Sequence, residues 1–409
     1  MKEENNFKIS EITAEEIKDS RGNITLRVTV WVGDKFDSFS VPSGASTGIH
    51  EAHELRDPDG KGVKIAIEKV NDLIAPVLIG QDVLNQKEVD RIIIELDGTP
   101  NKDNLGGNSM IGVSIAVAKV AAKVSGVEVF EHLRTLCEMK PSRRIPHLYM
   151  NLINGGKHAK NNLAFQEYHV VTNTDDITEA VDIGVRIQDF LKEFITEDLG
   201  EDSLVLGDEG GYAPEITDIK KPLEYLMRAI KENNLEGKVR LALDVASSSF
   251  YENGMYKVDG REITKEELLN IYSSLTKEFN LISIEDPFDE EDFESFRKLK
   301  EKESDLIVVG DDLTVTNKDL LQQAIHKKSI SGMIIKPNQI GTLSETLETM
   351  RLARENDIEL IVSHRSGETD DDFIADLAFA FSTFGLKSGS PVKSERMIKY
   401  QRLINISKM

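Results

Sequence analysis

The 409-residue chain has a single cysteine, Cys137. No internal disulfide can form, which points to a reducing compartment. Basic residues are scarce beside acids: 50 Lys and Arg face 72 Asp and Glu, for a net charge of −22. That balance argues against a general nucleic-acid binder, which needs a basic face to displace phosphate counterions. It leaves room for a small basic pocket that takes an anionic metabolite. Long apolar runs are missing too. The opening MKEENNFKIS lacks the apolar core of a signal peptide. The most apolar helical stretch, Met110 to Val124, carries Lys119 and Lys123 and is too short to span a bilayer. Low-complexity tracts and short-period repeats are also absent. The expectation is a soluble cytoplasmic protein with no membrane partner.

What is present suffices for substantial cores, since 39% of the residues are hydrophobic. The length suits two or three ordinary domains, or one large barrel with an addition. The first part reads as an α+β unit. Ile24, Leu26, Val28, Val30 and Val32 fall on every second position, the pattern of a half-buried strand. Gly33-Asp34 offers a turn, and Lys35 to Val41 can return as an antiparallel partner. Helical patterns follow at about 62–78, 86–96 and 108–124. A segment with Lys140 and Pro141 after Cys137 reads as a linker. Beyond it, short apolar runs alternate with amphipathic helices, the signature of a parallel sheet wrapped by helices. The runs begin at Leu204, Leu241, Leu281, Leu306, Met333 and Leu360, and helices at 265–279, 317–328 and 344–355 lie among them. Residues 143–409 match the ~250 residues of a typical α/β barrel. The expected division is residues 1–136 and 143–409.

The informative fact is what ends those runs. Asp244 follows Leu243, Glu285 follows Ile284, Asp311 and Asp312 follow Gly310, and Lys336 follows Ile335. His364 and Arg365 come just after Val362, Lys387 follows Leu386, and Leu206-Gly207 leads to Asp208 and Glu209. In a parallel barrel the strand ends meet at one face, so charges placed one per strand converge on a pocket. One acid after one strand is usually a helix cap or a solvated loop residue. Seven in series are another matter. Asp244, Glu285 and Asp311 would repel one another unless a cation neutralised them, and three hard oxygen ligands suit Mg²⁺. A structural ion-pair network with Lys336 and Lys387 remains the alternative. Two glycine-hinged loops add to the picture: Ser43 to Gly48, and Asn154 to Ala159 leading to Gln166 and Glu167. Their glycines let backbone approach a ligand closely.

Taken in order, the segments DSRGN (19–23), SGASTG (43–48) with Glu51 and ELRD (54–57), NGGKHA (154–159) and AFQE (164–167) resemble the enolase family. GDEGGYAP (207–214), LALDVA (241–246), SIEDPF (283–288) and VGDDLTVTN (309–317) extend the likeness. IIKPNQIG (334–341), SHRSGETDDDFIADL (363–377) and LKSGSP (386–391) complete it over nearly the whole chain. The resemblance implies an α/β fold: a C-terminal eight-fold α/β barrel of TIM type, its first units departing from simple βα repetition, under an N-terminal α+β capping domain. It implies an Mg²⁺-dependent lyase that reversibly dehydrates 2-phosphoglycerate to phosphoenolpyruvate in glycolysis and gluconeogenesis, as a homodimer or larger ring.

By the same resemblance, Asp244, Glu285 and Asp311 bind a first Mg²⁺, and Ser46 a second, substrate-dependent one. Lys336 is the general base, Glu209 the general acid, and Glu167 supports the acid side. His158, His364, Arg365, Ser366 and Lys387 surround the substrate, with Arg365 and Ser366 on the phosphate and Lys387 near the carboxylate. Metal charge and Lys387 are expected to depress the Lys336 pKa, and Asp208 and Glu167 to favour protonated Glu209. Two other readings stand beside this one. The first is a related barrel enzyme that takes a proton beside a different carboxylate. The second is a non-catalytic protein on the same scaffold.

Overall fold

A computed structural model describes residues 7–44, 48–139 and 145–409. Strands β1 (Glu11–Lys18), β2 (Ile24–Val32) and β3 (Lys35–Ser40) form an antiparallel sheet in that order. The alternation along β2 decides which face is covered: Leu26, Val28, Val30 and Val32 are buried. They pack beneath helix α2 (Gly107–Ser125), which follows helix α1 (Gln86–Asp97). Close approach needs Gly112, because a Cβ there would meet Val28 Cγ2 at 2.6 Å. Helix α2 is buried along nearly its whole length, so its mostly apolar sequence reflects a core helix. Among the described residues, no single helix is long and apolar enough to cross a membrane.

Eight strands close a barrel. In chain order they are β4 (His147–Asn154), β5 (Glu167–Thr172), β6 (Val239–Asp244), β7 (Ser283–Glu285), β8 (Ile307–Gly310), β9 (Gly332–Ile335), β10 (Glu359–Ser363) and β11 (Gly385–Lys387). Each pairs with the next, and β11 pairs with β4. Tyr149, Val171, Ala242, Val309, Ile334, Ile361 and Phe384 fill the interior, as expected of a packed barrel rather than a pore. The anticipated helices are present, including Lys265–Phe279, Lys318–Lys327 and α3 (Leu343–Glu355). Asn317 caps the second of these by accepting from the N–H groups of Asp319 and Leu320. The last helix, α4, spans Ser394–Ile406.

Two expectations are corrected. The apolar runs read as a parallel sheet, but β5 runs antiparallel to both β4 and β6, which is the departure in the first units that the family resemblance implies. Its first residue, Glu167, therefore lies opposite Asp244 at the rim where the other strands end. Second, the run beginning at Leu204 is no barrel strand. Val205 and Leu206 are 57% and 44% exposed, and Leu206 makes only a single bridge to Tyr212. An apolar triplet alone does not say whether its backbone will find ladder partners. The linker expected around Lys140 and Pro141 lies mostly outside the described residues.

Polar contacts join the N-terminal unit to the barrel. Lys119 on α2 reaches Asp371 at 2.8 Å, and Lys102 reaches Glu345 at 2.8 Å. Buried Asp90 on α1 accepts from Ser114 Oγ on α2 and from the Ser344 N–H at the start of α3. Ser43 and Gly367 exchange two backbone bonds of 2.9 and 2.8 Å. Below them, buried Glu368 accepts from the N–H groups of Arg365 and Thr369 and pairs with Lys399 at 2.8 Å. Burial raises its pKa, but Lys399 and Arg396 outweigh burial and hold it below the usual range. A depressed carboxyl pKa stabilises the fold above the unfolded value near 4.5 and loses that contribution as pH falls through the folded value. Glu368→Gln is therefore expected to cost ~3 kcal/mol at neutral pH and much less near pH ~3. Urea unfolding of both proteins at the two pH values checks this; an equal cost at both would exclude an ionised Glu368.

Candidate active site

Strand register sets the rim. Asp244 and Glu285 are paired end residues of β6 and β7, and Ser363 pairs with Lys387 across β10 and β11. Asp311 follows β8, Lys336 follows β9 and His364 follows β10. Glu209 arrives differently. Its loop hangs on the edge of β4, where Tyr212 donates to Leu152 O at 2.9 Å and Asn154 donates to Tyr212 O at 2.8 Å. Gly207 and Gly211 press against Asn154, and a Cβ on either would come within 2.7 Å of it. These contacts deliver Glu209 beside the strand ends. One narrow pocket is lined by His158, Glu167, Glu209, Asp244, Lys336, His364, Arg365, Ser366 and Lys387.

Two ammonium groups organise the acids. Lys387 Nζ stands 2.8 Å from Asp244 Oδ2, 2.8 Å from Glu285 Oε2 and 3.4 Å from Glu167 Oε2. Lys336 pairs with Asp311, whose other oxygen accepts from Gln339 Nε2 at 2.9 Å. The structure thus gathers Asp244 and Glu285 around one cation and sets Asp311 on another. Burial raises the carboxyl pKa of both Asp244 and Glu285, and neighbouring carboxylates add to the rise against the pull of Lys387. Burial also raises Asp311, but Lys336 prevails and holds it low. Among the described residues, Asp311 clusters with Asp286 and Asp312, their oxygens within 4.8 Å of one another. Burial, then Asp311, pushes Asp312 up to about 8. Asp286 has a structural task, accepting from the N–H groups of Asp311 and Asp312 at 2.9 and 2.8 Å.

The other wall carries the histidines. His158 Nδ1 lies 3.2 Å from Glu167 and 3.7 Å from Glu209, and His364 Nε2 lies 3.3 Å from Glu209. Asn151 donates to Glu209 Oε2 at 3.0 Å, and His169 meets Glu167 at 2.7 Å. Burial and Glu167 raise the Glu209 pKa, yet His364 and His158 outweigh them and leave it lowered. Glu167 thus pushes Glu209 toward its protonated form as expected, but the two imidazoles that face it outweigh that push. Burial lowers the Lys336 pKa, but contact with Asp311 raises it above the ordinary lysine value despite Arg365 and Lys387. Arg365 pairs with Glu51 at 2.8 Å and also donates to Asn338 Oδ1 at 3.2 Å. Ser366 lines the same pocket, and Ser46 lies outside the described residues.

Sequence reasoning did not single out Asn151, His169, Asp286, Gln339 or Arg396. Asp286 and Gln339 lie inside recognisable motifs and could have been flagged. Asn151 and His169 sit within apolar strands, where alternation places each on the face opposite its two chain neighbours but gives no chemistry.

Family models match both parts of the chain. "Enolase, N-terminal domain" covers residues 9–133, and "Enolase, C-terminal TIM barrel domain" covers residues 142–409. The chain belongs to the enolase family. It is 46% identical over 406 residues to the enolase of Methanocaldococcus jannaschii, covering 98% of this chain and 95% of that one. It is 44% identical to the enolases of Sulfurisphaera tokodaii and Methanopyrus kandleri, with the same coverage. It is accordingly a lyase that interconverts 2-phosphoglycerate and phosphoenolpyruvate, with a divalent metal. The donor set suits such an ion. Asp244, Glu285 and Asp311 are all buried and offer carboxylate oxygens, and the two ammonium groups of Lys336 and Lys387 do not balance three carboxylates. Oxygen-only ligands with uncompensated charge fit a hard dication.

The glycine contacts give a direct test of how Glu209 is placed. Gly211→Ala brings a Cβ to 2.6 Å from Asn154 Oδ1 and 2.8 Å from the Leu152 carbonyl carbon, so the loop must move. Turnover is expected to drop ~10²-fold with the melting temperature nearly kept, since a small misplacement of a reacting group is costly. Steady-state kinetics with calorimetry decide; unchanged kcat would show that the loop geometry is not limiting.

Proposed function

We propose that Lys336 and Glu209 divide the dehydration between them, as base and acid on opposite walls of one pocket. Lys336 Nζ takes the C2 proton of 2-phosphoglycerate, and the electron pair released moves toward the substrate carboxylate. Glu209 then gives a proton to the C3 hydroxyl, the C–O bond breaks, water leaves, and the C2–C3 double bond of phosphoenolpyruvate forms. Lys387 faces the substrate carboxylate, while Arg365 and Ser366 hold the phosphate. His158, His364 and Glu167 flank the acid. Asp244, Glu285 and Asp311 would hold Mg²⁺, and Ser46 would serve a second, substrate-dependent ion. When bound, the metal supplies counter-charge for the substrate carboxylate.

The observation that carries this reading is the separation of two buried networks within one pocket. Lys336 is engaged with Asp311, and Glu209 with two imidazoles and Asn151. A base that must be neutral and an acid that must be protonated need separate surroundings. We further read residues 1–136 as the capping domain and 143–409 as the catalytic barrel, in a cytoplasmic homodimer or larger assembly. These readings rest on the family likeness.

The roles separate experimentally. Lys336→Ala should abolish both dehydration and exchange of the C2 hydrogen with deuterated solvent. Glu209→Gln should abolish dehydration and leave C2 exchange in place, because the first step does not use it. Each loss should be ~10²–10⁴-fold. Proton NMR in deuterated water follows both events; C2 exchange surviving in Lys336→Ala overturns the base.

Metal dependence is tested apart from this. Chelation should abolish turnover and added Mg²⁺ restore it, and Asp244→Asn, Glu285→Gln and Asp311→Asn should each raise the Mg²⁺ requirement. Identical titrations for all three variants and the parent would mean that other residues hold the ion.

A further inference from the structure

Arg396 sits on α4 with none of its surface exposed. Its Nη1 donates to His364 Nδ1 at 2.7 Å and to Arg365 O at 2.6 Å, and its Nη2 donates to Ser366 O at 2.7 Å. A guanidinium has five donors, no acceptor and no accessible neutral form. The ring nitrogen it faces must therefore be the one without a proton. We propose that Arg396 is a positioning residue which fixes His364 as the neutral tautomer with its proton on Nε2, the nitrogen 3.3 Å from the Glu209 carboxylate.

Other charges around His364 agree with that state. Glu209, from its loop, and Glu167, from β5, favour the imidazolium; burial and Arg396 oppose it, and the ring's pKa is lowered. Glu368 lies close by but is taken up by Lys399. His158 differs. Burial lowers its pKa, yet Glu209 and Glu167 prevail and raise it. The two histidines flanking Glu209 therefore hold different proton inventories: His158 can carry charge, while His364 keeps one proton, on the nitrogen 3.3 Å from Glu209. The three donations also tie the Arg365–Ser366 backbone to α4, so the same side chain orients the ring and the loop it stands on.

The tautomer is independent of any catalytic role, whereas its effect on turnover rests on Glu209 being the acid. In the full-length protein with ¹⁵N-labelled histidine, His364 is identified by the signal lost in His364→Gln. Long-range proton–nitrogen spectra should show Nε2 protonated and Nδ1 bare, unchanged from pH ~6 to ~8, where an ordinary histidine titrates. Two protonated nitrogens near pH ~7, or a bare Nε2, would overturn the assignment, and this needs no Arg396 variant to fold.

Turnover is read by a double-mutant cycle. Arg396→Gln should lower kcat at least ~10-fold in the parent and less than ~2-fold in a His364→Asn background, the scale of losing a partner in proton transfer. Any KM increase from the loosened Arg365–Ser366 backbone should persist in both. Equal kcat losses in the two backgrounds would show that Arg396 acts on the loop alone and overturn the positioning role. Failure of the Glu209 assignment is read separately, as dehydration surviving in Glu209→Gln.

Discussion

Lys387 closes the barrel's charge balance. It holds Asp244 and Glu285 at 2.8 Å and faces Glu167 at 3.4 Å, all four groups buried. Buried charges of one sign cost several kcal/mol each unless paired. Three strands of the barrel, β5, β6 and β7, end or begin in such carboxylates, so the sheet can close there only around a cation. The excess of acid over lysine that remains is what equips the rim for a dication and an anionic substrate together. The fold and the chemistry thus depend on the same imbalance.

The same imbalance shapes the pairings at the rim. Lys336 is drawn to Asp311, and Glu209 is kept ionised by His158 and His364. Lys336 and Glu209 thus each face a group of opposite charge inside the pocket.

Much of this was legible in the sequence because a barrel strand writes its end plainly: a few apolar residues, then a charged one. Asp244, Glu285, Asp311, Lys336, His364 and Lys387 were found that way. The direction of β5 was not legible, since alternation and apolar runs read the same forward and backward. Glu167 therefore belongs to the rim for a reason hidden from its own strand, namely its register with Asp244. Leu204 to Leu206 misled because short apolar runs also occur in exposed segments held at one bridge. Arg396 was hidden for another reason. It sits 32 residues beyond His364 on a helix, and its donors matter only once that helix is packed against the loop.

The delivery of Glu209 has a further consequence. The metal-side residues are fixed to strand ends, where a slip of one residue would turn each side chain to the opposite face. Glu209 rides instead on an excursion within the long connection from β5 to β6, which leaves and re-enters the barrel at the opposite rim, as the Thr172–Val239 pairing shows. The wall that carries Glu209 is thereby modular. Its loop can change length or the side chain it presents while strand register stays untouched, whereas Lys336 and the carboxylates at the strand ends can change only together with the sheet that carries them.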